Sequence, residues 1–210
     1  MTKLIRTPAL QSAVLMIWLL GLGSATGCAG TPHEPQPPRI TTEDLHSAPT
    51  HLESDVFQGI TLPVADQGPH RDDGTVADSY DRSPVGAALA AIQATVRMSV
   101  GADDQFAEIG QRMLAPGPGR DAWAVARTQI SITGPISTPP VLLGYRVHTY
   151  AADHADVAIY TRQPDTSLTA NTATVIWLND DWKLLLPNGF HADPVTVLSR
   201  TPADMTALAL

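Results

Sequence analysis

Residues 141–187 read VLLGYRVHTYAADHADVAIYTRQPDTSLTANTATVIWLNDDWKLLLP, and the period of this stretch decides the fold. From Pro139 onward the pattern has a period of two. Leu143, Tyr145, Val147 and Thr149 alternate with Gly144, Arg146 and His148; Ala155, Val157 and Ile159 alternate with Asp156, Ala158 and Tyr160. Thr172, Thr174, Ile176 and Leu178 alternate with Ala173, Val175 and Trp177. Successive side chains of a strand point to opposite faces, so each run reads as a strand with two distinct faces. Asn179-Asp180-Asp181 is a tight-turn sequence. Trp182, Leu184 and Leu186 form the return strand, stopped by Pro187-Asn188-Gly189. The expectation is four antiparallel strands in a meander, with a fifth short strand at Val195 to Leu198.

Upstream the period is helical. Ser83 can cap and Pro84 suits the first helical position. Val85, Leu89, Ile92 and Val96 recur at helical spacing, with Ala87, Ala88, Ala90 and Ala91 between them and Gly101 as the stop. So many alanines on one helix favour close packing against a sheet. Asp103 or Asp104 is expected to cap a second helix carrying Phe106, Ile109 and Met113, ended by Pro116-Gly117-Pro118-Gly119. A third helix, about 121–130, would put Trp123, Ala126 and Ile130 on one side. Helices first and an antiparallel sheet after is an α+β pattern. Residues 57–82 read as irregular, punctuated by Gly59, Pro63, Gly68, Pro69 and Gly74, with part of the segment draped over the domain.

Further out, residues 29–56 hold Pro32, Pro35, Pro37, Pro38 and Pro49 and few large apolar side chains, too little to bury a core. They read as a tether, semi-rigid where proline-rich and about 85 Å long if fully extended as polyproline II. Residues 1–27 have the shape of a secretory signal: Lys3 and Arg6, then the apolar run 13–22 (AVLMIWLLGL), then Gly23, Ser24, Ala25, Thr26 and Gly27. The apolar run rises about 15 Å as a helix, short of the roughly 30 Å hydrocarbon layer, so a spanning anchor is the weaker reading. The segment ends in Cys28, the only cysteine of the chain. The expected organisation is signal 1–27, tether 28–56, α+β domain 57–200 and tail 201–210.

Composition removes several function classes. The 210 residues include 13 Lys+Arg and 21 Asp+Glu, a formal charge of −8. Removing residues 1–27 takes two positive charges and no acid. The acidic balance argues against nucleic acid, which needs a concentrated basic patch. It also argues that the body stands off anionic lipid. One cysteine excludes a disulfide framework and a Cys-rich zinc site. No P-loop, dinucleotide fingerprint, nucleophile elbow or metalloprotease motif is present, so no cofactor, metal or catalytic residue is expected.

His148 and His154, with Asp153 and Asp156, read as solvated hairpin-tip residues. Asp72-Asp73, Asp103-Asp104 and Asp180-Asp181 lack the alternation of a calcium loop and read as capping or turn residues. Asp78 and Asp81 bracket Tyr80 and would serve the dipole of the first helix or, as the alternative, line a pocket mouth. Trp123, Tyr145, Trp177 and Trp182 are the large aromatics of the body. They would fill the core or, as the alternative, line a ligand cavity between helices and sheet.

Three resemblances add expectations. Ala25-Thr26-Gly27-Cys28 resembles the lipobox of bacterial lipoproteins, which implies a diacylglycerol thioether on Cys28 and anchoring to the outer face of the plasma membrane. The helix trio followed by a curved meander resembles the NTF2-like (cystatin-like) fold, which also allows a homodimer through the exposed sheet face. Leu62-Pro63, Gly68-Pro69, Tyr80, Ser83-Pro84-Val85-Gly86-Ala87, Leu89-Ala90-Ala91, Gly144-Tyr145-Arg146-Val147 and the Trp177/Trp182-Lys183 hairpin resemble conjugal-transfer and mobile-element proteins of high-GC Gram-positive bacteria. That likeness implies a non-catalytic envelope lipoprotein with protein partners, an accessory of a conjugation or type IV-like secretion apparatus. A lipid-anchored binder of a small apolar ligand is the alternative, and an enzyme with a cavity Asp or His the second alternative.

Overall fold

The computed structural model describes residues 45–189 and 195–210; the signal, Cys28 and residues 29–44 of the expected tether lie outside them. The meander forms as its period dictates. Strands β5 (Val141–Ala151), β6 (His154–Arg162), β7 (Leu168–Leu178) and β8 (Asp181–Leu185) pair antiparallel in sequence order. Asn179 and Asp180 make the β7–β8 turn with φ of 53° and 58°, the left-handed region their short polar side chains tolerate. The turn brings Trp177 opposite Trp182.

Helix α1 (Pro84–Val100) begins where expected. The Ser83 hydroxyl accepts from the Gly86 N–H, and Gly101 follows the last turn. Its alanines are all but fully buried, and the helix lies across β5–β8. Small side chains let the helix approach the sheet closely, so the core forms from Leu89 and Ile92 against Tyr145, Val147, Val157, Val175, Trp182 and Leu184. Helix α2 (Phe106–Arg112) and helix α3 (Pro118–Arg127) follow. The class is α+β, three helices with a mostly antiparallel curved sheet among the described residues.

Several boundaries differ from expectation. The segment read as tether enters the domain before residue 57. Leu45 and Leu52 pack against the core, the Tyr145 hydroxyl donates to the Ser47 carbonyl at 3.0 Å, and Glu53–Phe57 forms strand β1. Residues 57–82 are not irregular: β2 (Ile60–Val64) pairs with β1, and β3 (Arg71–Asp72) pairs with β4 (Ala77–Asp78). Strands this short leave almost no periodic signal, and their Phe57, Ile60, Leu62 and Ala77 join the core of the domain.

Pro118 opens α3 instead of ending α2, since a proline needs no N–H at the first helical position. Gln105, not Asp103 or Asp104, stands at the start of α2. Helix α3 buries Gly119 and Arg127 while Ile130 lies beyond it, 57 % exposed, so the expected apolar side does not form. The fifth strand, β9 (Val195–Leu198), forms at the expected residues and pairs with β7. Part of the expected tail is strand β10 (Thr206–Ala207) on β5, and Leu208 joins the core.

Candidate functional site

The loop before α1, the helix start and the β7–β8 hairpin meet at one junction. Asp181 opens β8 and is buried; its carboxylate accepts from the backbone N–H of Ser79 (3.2 Å) and Tyr80 (3.1 Å) and from Lys183 Nζ (2.8 Å). Ser79 sits at φ 65°, a region that costs a non-glycine residue about 1–2 kcal/mol, and these bonds hold it there. Trp182 Nε1 donates to the Asp81 carbonyl at 3.0 Å. A Cβ on Gly86 would collide with that same carbonyl, and one on Gly68 with the Tyr80 ring. Gln93, buried on α1, donates to the Pro63 carbonyl at 3.0 Å. The residues of the Leu-Pro, Gly-Pro, Tyr and Ser-Pro-x-Gly-Ala pattern therefore converge, and the contacts they make are architectural.

A seam of charge fastens the β3–β4 hairpin to the helices. Arg97 is 1 % exposed; it pairs with Asp72, bonds Gln93 Oε1 at 3.0 Å and lies over the Phe57 ring at 4.5 Å. Arg112 reaches Asp73 (2.6 Å), Asp78 (2.7 Å) and Glu108 (2.7 Å), and Arg71 also holds Asp78. The carboxylates raise the Arg112 pKa further. Backbone N–H bonds from Val76 and Thr75, then Arg112, outweigh desolvation and bring Asp73 down to about 2. At Asp78 burial pushes upward, but hydrogen bonds from Arg112 and Arg71 win and the pKa is lowered. Asp78 thus binds arginines instead of serving the α1 dipole, and no acid lies in the first turn of α1. Asp81 faces His70 at 3.1 Å.

The remaining acidic pair works within the fold. Asp103 accepts from Ser131, the Ile132 N–H and buried Arg127, tying the loop after α3 to the end of α1. Asp156 accepts from Thr149, Thr174 and His154 across three strands, which lowers its pKa against the opposing effect of burial. Among the described residues no group of His, Cys, Asp and Glu side chains converges as metal ligands do.

The four expected aromatics do not share a cavity. Tyr145 is fully buried beneath α1, and burial raises its pKa well above the phenol range. Trp182 is buried and meets Trp177 edge-on at 5.2 Å and Tyr150 at 5.8 Å. The Arg82 guanidinium lies 4.9 Å over the Trp177 ring. Trp123 is on another side, against Phe106 and the bare backbone of Gly110. The core reading holds for Tyr145 and Trp182, while Trp123 and Trp177 are half-buried packing residues.

A cavity of about 570 Å³ lies elsewhere, between the last turns of α1, the middle of β7 and the end of β8, and none of the four aromatics lines it. Thr95, Met98 and Ser99 cover it from the helix. Sequence reasoning missed it because it arises from two strands sharing one edge of β7, which no local pattern encodes.

The model of the family described as domain of unknown function (DUF8175) matches residues 21–205. No curated protein and no solved structure matches the chain.

Proposed function

Because the chain belongs to the DUF8175 family, whose description assigns no activity, we propose a function from its own residues. The protein is a lipoprotein of the cell envelope, held at the outer face of the plasma membrane through Cys28. Its α+β domain, of NTF2-like type, works by contact with protein partners in a conjugation or type IV-like secretion apparatus.

The observation that carries this reading is positional: the only cysteine stands directly after a short apolar run and five small residues, where a lipid would be attached. The family match begins at residue 21 and so covers the five small residues and Cys28. Two acyl chains, at about 0.8 kcal/mol per buried CH2, are sufficient for stable anchoring. The acidic body is repelled by anionic headgroups, which favours a domain held away from the bilayer and free to meet other proteins. The polar and aromatic groups at the α1 junction are used to build the domain, which leaves the protein-contact reading ahead of a catalytic one.

Intact-mass analysis of the membrane fraction tests the anchor. A mature N-terminus at Cys28 with added lipid mass, lost in Cys28→Ala, is the expected result; an unlipidated protein in the medium would sink the reading. Crosslinking in membranes that assemble the apparatus tests the partner, and recovery of the protein alone would refute it.

A further inference from the structure

The cavity beside β7 is not used by the protein-contact reading. Strand β7 runs unbroken from Leu168 to Leu178, yet its outer edge carries two different strands. β9 pairs with residues 168–171 and β8 with residues 174–178. Among the described residues no strand lies beside Thr172 and Ala173 on that edge. Consecutive residues of an antiparallel strand direct their N–H and C=O to opposite sides, so one of these two aims both groups into the gap. Over the gap stand Met98 and Ser99 of α1, with Leu184 and Leu186 as apolar walls. Thr95 also lines it, and among the described residues its buried hydroxyl oxygen has no hydrogen-bond partner. The volume of about 570 Å³ suits a small molecule. Every lining side chain among the described residues is neutral, so an ion would lose its hydration there without a counter-charge.

We propose that this slot binds a neutral small molecule with an apolar body and one hydrogen-bonding head. The body packs against Met98, Leu184 and Leu186, and the head meets the open backbone edge of β7. The ligand class follows from the described walls: apolar area supplies the affinity, the backbone groups of β7 orient the head, and the absence of charge among the described lining residues disfavours ionised molecules.

The test uses the full chain carrying Cys28→Ala, so that no acyl chain competes. It is titrated with neutral N-phenyl-1-naphthylamine and with anionic 8-anilino-1-naphthalenesulfonate. The expected result is saturable one-to-one binding of the neutral probe, at least about tenfold tighter than the anion. Ser99→Trp, at an exposed rim position, is expected to weaken the neutral probe at least about tenfold with an unchanged circular dichroism spectrum. If that variant misfolds, Thr172→Trp on the opposite wall replaces it with the same expectation. No saturable binding, preference for the anion, or a folded rim variant that binds like the parent would each overturn the proposal. Binding that emerges only in Phe190→Ser would overturn it too, because the occupant would then be the chain's own segment between Asn188 and Val195.

Discussion

Gly86 shows how a local preference loses to a tertiary contact. In an isolated helix alanine is favoured over glycine by about 1 kcal/mol. Here the added Cβ would meet the Asp81 carbonyl, which accepts from the Ser83 N–H and the Trp182 indole. Gly86→Ala is therefore expected to cost about 1–3 kcal/mol of stability, measured by urea unfolding; a stabilised variant would show that the 79–82 loop yields. Arg97 makes the opposite lesson at the same scale. It is a charged residue in the midst of an apolar helix, and the sequence pattern gives no sign that it is buried. Arg97→Ala removes the partner of Asp72 and Gln93 at once and is expected to cost about 3–5 kcal/mol. Arg97→Met keeps much of the volume and should cost less; equal losses would mean that the charge, not the packing over Phe57, sets the effect.

At the scale of elements, the β3–β4 hairpin has too few residues to hold itself and depends on its carboxylates. The Asp73 pKa falls from the ordinary 3.8 to about 2 on folding. A depressed carboxylate contributes stability that is complete above the unfolded value and is lost as the pH falls through the folded one. Asp78 is shifted in the same direction. The urea midpoint is therefore expected to drop between about pH 4 and pH 2, with a shallower drop in Asp73→Asn. An identical pH profile in that variant would assign the loss to other groups. Strand β10 offers a second test. Leu208 is 6 % exposed against β5, so Leu208→Ala should cost about 2 kcal/mol or more, read by thermal or urea unfolding; no loss would show residues 201–210 to be a true tail.

At the scale of the whole molecule, the fold takes in residues 45–56, the C-terminal part of the segment that sequence composition assigns to a proline-rich tether. Residues 47–57 are fixed by the Tyr145–Ser47 bond and by β1–β2 pairing. Limited proteolysis is expected to trim the chain back no further than Ser47; a product beginning at residue 57 would restore the composition-based border. The mass of the mature N-terminus tests the proposed lipid anchor at Cys28.

The sequence alone determined the features whose cause is local. The alternation of 141–186 set the meander, Asn179-Asp180 set its last turn, and Ser83-Pro84 with the alanine run set α1, because period, turn chemistry and capping act within a few residues. The paired tryptophans were legible as a hairpin for the same reason. Only the tertiary structure decided which strand takes which edge of β7, how the short strands of 53–78 pair, and where Arg97 goes. It also decided that the four aromatics share no cavity while Thr95, Ala173 and Leu184 line one. These outcomes depend on contacts between residues far apart in the chain, whose energies are settled by packing and by the pairing of buried polar groups.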